Sequence, residues 1–201
     1  MIKVLAIVGS PRKGKNNDTI VTHMLEGIEN TLGLGVFIEK LYADDLAVQP
    51  CKACDGCTRV RGCILEDAMR GLYEKFDESD IIIMASPLYF NSISAQLKTI
   101  IDRNQAIWSS KYILNNSLIN KDKNRLGYFI CTAGMPEIPD LFEAAIPIME
   151  LYFKSINTGY EGNFFVANVD EHPIMRDEKI LQQAYSIGIS LADKILTMRT
   201  Q

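Results

Sequence analysis

Ile2-Lys3-Val4-Leu5-Ala6-Ile7-Val8 runs without a break into Gly9-Ser10-Pro11-Arg12-Lys13-Gly14-Lys15-Asn16-Asn17-Asp18-Thr19. The first seven residues are mostly apolar and partly β-branched, the pattern of a central parallel strand covered on both faces. Beyond Thr19, apolar residues recur at Ile20, Met24, Ile28 and Leu32, which is helical spacing. The stretch therefore reads strand, loop, helix. A loop of Gly, Ser, Asn and Thr at a helix N-terminus offers free N–H groups, hydroxyls and the positive end of the helix dipole, a setting that suits a phosphate. Arg12, Lys13 and Lys15 add positive charge. The spacing is neither G-x-G-x-x-G nor G-x-x-x-x-G-K-[ST]. An ordinary polar loop with Asn17 or Asp18 as helix N-cap is the other reading.

Around this opening the chain repeats the same rhythm. The first helix is expected to stop near Leu32, before Gly33 and Gly35. Strands are expected at Val36–Leu41, Asp80–Ala85, Leu126–Cys131 and Phe164–Val169. The run Ile81-Ile82-Ile83 marks the third strand as doubly covered. Helices are expected from about Glu66 to Asp77, from near Ser94 as N-cap, over Asp140–Ile156 with Pro147 ending or kinking it, and over Asp177–Met198. The segment 104–124 holds Trp108, Tyr112 and Ile113 without a clear period and is a candidate lid or interface element. Five strands alternating with helices give a doubly wound, largely parallel sheet. Ligands of such sheets sit outside the C-terminal strand ends. Three polar or small-residue loops follow predicted strands there: Gly9–Asn17, Ser86–Ser92 and Thr132–Met135. In strand order 2-1-3-4-5 they converge.

With 201 residues, 47% of them hydrophobic, the chain suits one α/β domain, 1–201. Mean hydropathy is +0.02 and the pI about 5.3. A net charge of -4 argues against a general nucleic-acid binder, which would show a dominant basic face. No apolar run reaches the ~20 residues of a membrane span. The N-terminal run lacks the layout of a signal peptide, so a cytoplasmic location is expected.

Four of the five cysteines form Cys51-x2-Cys54-x2-Cys57-x5-Cys63. In a cytoplasmic chain such crowding points to metal or redox chemistry. Four thiolates this close can wrap one iron–sulfur cubane, with Gly56 and Gly62 permitting tight turns. Lys52, Arg59 and Arg61 would offset the thiolate charge. Zinc, a disulfide or redox-sensing thiol pair, and an empty loop stay open as alternatives. Cys131 reads as a small buried residue.

Gly9-Ser10-Pro11-Arg12, then Ser86-Pro87-Leu88-Tyr89-Phe90 and Ser94-Ala95-Gln96-Leu97-Lys98…Asp102-Arg103, resemble the NAD(P)H-dependent FMN reductase family. The cysteine cluster makes the chain similar to its iron–sulfur flavoprotein branch. The similarity runs from residue 1 to about 135. It implies a flavodoxin-like fold, five parallel strands in order 2-1-3-4-5 with helices on both faces. Carried over by position, it implies that Ser10, Arg12, Asn17 and Thr19 hold the FMN phosphate. Asp18 then sets a carboxylate beside that phosphate. Pro87, Leu88, Tyr89, Phe90, Asn91 and Ser92 would meet the flavin ring, and Thr132, Ala133 and Gly134 would form a third contact loop. Cys51, Cys54, Cys57 and Cys63 would bind a [4Fe–4S] cluster.

The function so implied is an FMN-dependent oxidoreductase passing electrons between a ferredoxin-like one-electron donor and an acceptor, working as a homo-oligomer. No general acid or base is needed, because the flavin carries the chemistry. A cluster-free NAD(P)H-dependent FMN or quinone reductase is one alternative. A flavodoxin-like carrier or thiol redox sensor is another. Tyr89 and Phe90 could equally be core aromatics. Lys98, Asp102 and Arg103 read as a solvated ion-pair face or a dimer contact. His23 and His172 read as structural or surface residues.

Overall fold

The computed structural model describes residues 1–199. Five strands form one sheet in order β2-β1-β3-β4-β5: β1 (Ile2–Val8), β2 (Val36–Tyr42), β3 (Ile81–Pro87), β4 (Leu126–Thr132) and β5 (Gly159–Val166). Every neighbouring pair is parallel. The fold is flavodoxin-like. Helices follow the strands: α1 (Asn16–Leu32), α2 (Met69–Glu78), α3 (Ala95–Arg103), α4 (Gln105–Tyr112), α5 (Ile146–Ser155) and α6 (Glu178–Arg199).

The two-residue period of a strand splits the core into two halves. Val4, Ala6, Val8, Ile81, Ile83 and Ala85 face α1 and α6. Leu5, Ile7, Ile82 and Met84 face the opposite layer, with Met69, Leu72 and Phe76 of α2, Leu97 and Ile100 of α3, and Met149 and Phe153 of α5. β3 is buried at every position, as its isoleucine run predicts. The first layer is drawn tight by two glycines. A Cβ on Gly27 would lie 2.2 Å from the Tyr185 carbonyl oxygen, and one on Gly188 would lie 2.1 Å from that of Met24. α1 and α6 therefore cross backbone to backbone.

Four expectations change. β5 covers Gly159–Val166, not Phe164–Val169. It is an edge strand with a polar, half-buried first half, so the apolar run marks only its end. Pro147 sits in the first turn of α5, where its missing N–H costs nothing, and it starts the helix rather than kinking it. The 104–124 segment opens with α4. Arg103 does not share the solvated face. Lys98 and Asp102 pair at the surface, 2.7 Å apart. Arg103, three residues after buried Ile100, turns inward and is 1% exposed.

Candidate functional site

At the C-terminal strand ends the loops are knotted to one another. The Gly9 N–H donates to the Ala85 carbonyl at 2.7 Å. A Cβ on Gly9 would stand 2.8 Å from Leu97 Cβ and 3.0 Å from the Ala85 oxygen, so only glycine fits this approach. Ser94 caps α3, accepting from the Leu97 N–H, and its hydroxyl donates to the Gly9 carbonyl at 2.7 Å. Ser86 in turn accepts from the Ser94 N–H at 2.8 Å. The Leu88 N–H donates to the Thr132 carbonyl at 2.7 Å. The Asn17 side-chain amide donates to the Thr132 hydroxyl at 2.8 Å. The Ser94–Leu97 and Ser86–Ser94 bonds order the β3–α3 connection, and the other four join segments that belong to different strands, so the rim is set by the fold.

Between these loops lies a cavity of about 600 Å³, within the ~300–1,000 Å³ typical of cofactor sites. Ser10, Arg12, Lys15, Asn16 and Asn17 form one wall, and Pro87, Leu88 and Tyr89 another. Thr132 and Gly134 continue it. Val169, Asp170, Pro173 and Met175 close the far side. No side chain caps the N-terminus of α1, so the dipole end stays open toward this space. Asn17 is 3% exposed, and its Oδ1 has no hydrogen-bond partner. A hydroxyl both donates and accepts, so either arm of the amide can serve Thr132. The other arm is free for whatever fills the cavity. An open helix N-terminus, two cations and an unsatisfied amide fit the phosphate end of a flavin mononucleotide, and the Pro87–Tyr89 wall fits its ring.

The neighbouring charges are turned away. Lys13 pairs with Asp45 at 2.6 Å and lies over the Tyr42 ring. The Asp18 carboxylate accepts from the Gly14 N–H at 2.6 Å, from Lys40 at 2.8 Å and from the Tyr42 hydroxyl at 2.9 Å. Burial alone would raise the Asp18 carboxyl. The hydrogen bonds from Lys40, Gly14 and Tyr42 outweigh it and hold the group below the ordinary carboxylate value. Asp18 thus staples the loop from behind.

Several residues of the sequence-based set lie off the cavity wall. The Thr19 hydroxyl donates back to the Lys15 carbonyl. Tyr89 and Ser92 pair as a two-residue hairpin whose central residues, Phe90 and Asn91, have φ of 49° and 58°. Phe90 stands fully exposed at that tip. Ala133 is buried, its N–H on the Val166 carbonyl. The far side of the cavity was missed in the sequence. Asn16 holds it, accepting from the Ile174 N–H and donating to the Val169 carbonyl. Nothing in the local pattern around Asp170 signals this.

The four clustered cysteines border a second, small cavity of about 40 Å³, together with Leu65, Arg103 and Ala106. Cys51 and Cys54 are exposed, while Cys57 and Cys63 are partly buried and pack on the core. Ala53 and Asp55 take left-handed backbone, φ 48° and 56°, which is strained for residues with a Cβ. None of the five cysteines is joined in a disulfide. Among the described residues no group of three or more His, Cys, Asp or Glu is arranged to hold a metal ion. The donor chemistry is nevertheless that of a thiolate-ligated centre, since four cysteines line one space with Arg103 beside it. Burial pushes the Cys131 thiol up to about 12, so that cysteine stays protonated and inert.

A parallel sheet of this order, with an anion-ready cavity at its switch point, defines a nucleotide-cofactor protein of the flavodoxin-like class. The profile of the NADPH-dependent FMN reductase family matches residues 2–134, and the chain belongs to that family. It is 34% identical over 117 residues to an iron–sulfur flavoprotein of Methanosarcina thermophila, covering 58% of this chain and 60% of that one. It is 35% identical over 102 residues to an iron–sulfur flavoprotein of Archaeoglobus fulgidus, covering 51% and 45%. The chain spans about half the length of the curated relatives it matches. Among solved structures, an azoreductase from Bacillus anthracis superposes with a TM-score of 0.69 at 16% identity, covering 96% of this chain and all of that one. A flavodoxin from the domain Archaea superposes at 0.56 and 11% identity, covering 96% and 99%. At such identities these two speak for the fold alone. No described helix is long and apolar enough to cross a membrane.

Proposed function

We propose that this protein is a cytoplasmic FMN-dependent oxidoreductase of the iron–sulfur flavoprotein kind. It would carry electrons between a ferredoxin-like one-electron donor and an acceptor, with FMN in the large cavity and a [4Fe–4S] cluster at Cys51, Cys54, Cys57 and Cys63. The observation that carries this reading is that one chain holds both an anion-ready cavity at the strand ends and four cysteines lining a second, small one. When bound, FMN supplies the conversion between one- and two-electron chemistry.

This chain's own residues have simpler tasks. Ser10, Arg12, Lys15 and the open end of α1 receive the phosphate, and Asn17 adds its free amide arm. Thr19 contributes by holding the Lys15 carbonyl. Pro87, Leu88 and Tyr89 present apolar surface to the ring, and the Phe90–Asn91–Ser92 tip closes its outer edge. Thr132, Ala133 and Gly134 bring backbone close to the other side. The half-exposed Trp108, Tyr112 and Ile113 support α4 as a contact between copies in a homo-oligomer. The family's description, NADPH-dependent FMN reductase, favours a second reading, an NAD(P)H-dependent FMN or quinone reductase; in that reading the cysteine loop would carry no cluster.

The deciding experiment is a visible spectrum of protein purified without oxygen, with iron and acid-labile sulfide assayed on the same sample. Two flavin bands over broad absorption, and about four irons per chain, are expected for a cubane. An iron-free flavin spectrum with NAD(P)H turnover would replace the first reading by the second. Failure to bind added FMN would overturn both.

A further inference from the structure

The sequence motif Asp102-Arg103 carries one residue that the proposed function leaves unused. Arg103 is a fully charged group shut inside the protein, 1% exposed, at the end of α3. It lines the small cavity bordered by the four cysteines. Its guanidinium is forked onto the Asp67 carboxylate, 5% exposed, at 2.5 and 3.1 Å. It donates to the Gln49 carbonyl at 2.7 Å and, through Nη2, to the Cys63 sulfur at 3.4 Å. Its Nε is buried with no partner. The Tyr73 hydroxyl donates to its carbonyl at 2.8 Å, fixing the backbone from which the side chain reaches.

A buried ion pair is a weak source of stability, because desolvation consumes most of its attraction. This one is also incomplete, since the buried Nε lacks an acceptor. Stability is therefore a poor account of why a charge sits here. The direction of the fork is a better one. Asp67 holds one edge of the guanidinium in place from outside the cysteine motif. The cation is aimed at a sulfur that, as a thiolate, carries negative charge. Arginine keeps its charge at every working pH and presents its donors in a fixed plane. Hydrogen bonds and charge beside the sulfurs are among the groups that set a cluster's reduction potential.

We infer that Arg103 is a positioning residue for the cysteine site, oriented by Asp67, which holds Cys63 and raises the reduction potential of the centre bound there. The inference rests on the cluster reading above. It has an opposite-sign consequence. Reduction adds an electron, so a nearby cation favours the reduced state and a nearby anion disfavours it. Removing Arg103 must lower the potential. Removing the charge of Asp67, while leaving Arg103 in place, must raise it.

The test uses wild type, Arg103→Met, Asp67→Asn and the double variant, each purified without oxygen. Iron, FMN, circular dichroism and the reduction potential are measured on each. Arg103→Met is expected to shift the potential negative by about tenfold in the one-electron equilibrium constant, or about 59 mV. Asp67→Asn is expected to shift it positive, and the double variant to fall between the two singles. Arg103→Lys keeps the charge without the fork, so it should hold iron less well at a potential nearer wild type. A merely structural role would lower iron in both single variants without giving shifts of opposite sign. Should Arg103→Met fail to fold, the positive shift in Asp67→Asn still decides the matter. Iron-loaded variants at the wild-type potential, or shifts of one sign, would overturn the assignment of Arg103 and leave the cluster reading standing. An iron-free wild type that binds FMN would overturn the cluster reading and this inference with it.

Discussion

Around the large cavity, Gly9, Leu88, Asn17 and Ala133 are each fixed by a hydrogen bond to another strand-end loop. Around the cysteines, the backbone bonds of residues 55–60 run only to neighbours in the same turn, such as Thr58 to Asp55 and Val60 to Gly56. There the distant ties are side chains: Arg103 on Cys63, Ser109 beside Cys57 at 3.5 Å, and Arg61 on the Asn116 and Ser117 carbonyls. The first region is assembled by the sheet, and its shape stands before any ligand arrives. The second is a local loop with strained residues at Ala53 and Asp55, tied down by side chains, and its two outer cysteines, Cys51 and Cys54, are exposed. A site of the first kind binds by filling a space. A site of the second kind gains its final order from the ligand that closes it.

The comparison breaks first at the sulfurs. Cys63→Ser and Cys54→Ser should each remove most of the iron, from about four per chain to below one, while FMN binding and the melting temperature of the flavin region stay near wild type. Loss of FMN along with iron would mean that the two regions fold as one unit. The next effect is at Gly9. An alanine there must push on Leu97 Cβ and on the Ala85 backbone, neither of which can swing aside. We expect a cost of about 1–3 kcal/mol in urea unfolding and weakened FMN binding, with iron retained. Gly134→Ala is the control. The atoms nearest its Cβ would be the end of the exposed Asp170 side chain, which can turn away, so a change within about 0.5 kcal/mol is expected.

The sequence disclosed what depends on local pattern. The isoleucine run of β3, the polar loop after β1 and Ser94 as helix N-cap are each visible in a few consecutive residues, and all are where the pattern puts them. What it hid depends on partners far along the chain. Gly27 and Gly188 look like weak helix positions, and only the crossing of α1 and α6 gives them a purpose. Arg103 sits beside a real surface pair, Lys98–Asp102, and borrows its appearance. Its burial is decided by Asp67 and Cys63, 36 and 40 residues away. The wall at Asp170–Met175 has no periodic or motif signature, because a loop that closes a cavity needs only the right length and one anchor, here Asn16. The start of β5 was missed because an edge strand can be polar.

Charge gives the third test. Arg12 is exposed and lines the cavity at the end where the phosphate is proposed to sit. Arg12→Ala should weaken FMN by about tenfold, the value of one charge-assisted hydrogen bond. Riboflavin, which lacks the phosphate, should bind wild type and variant alike. Equal losses for both would place Arg12 at the ring instead.

The smallest effect is at Asp18, and its sign is fixed by the structure. The folded carboxyl lies below its ordinary value of 3.8, because the hydrogen bonds from Lys40, Gly14 and Tyr42 outweigh the cost of burial. A group with a depressed folded value binds fewer protons in the folded state than in the unfolded one. Its contribution is therefore fully present above about pH 4 and fades as the pH falls through the lower folded value. Asp18→Asn removes the charge and keeps one acceptor, so a loss of about 1 kcal/mol is expected at pH 6. Wild type and variant should converge in urea midpoint as the pH is taken down toward 3. A difference that persists undiminished in acid would mean that Asp18 acts by shape rather than by charge. The staple behind the phosphate loop would then be a matter of packing, and the preformed character of the larger cavity would owe nothing to this ion pair.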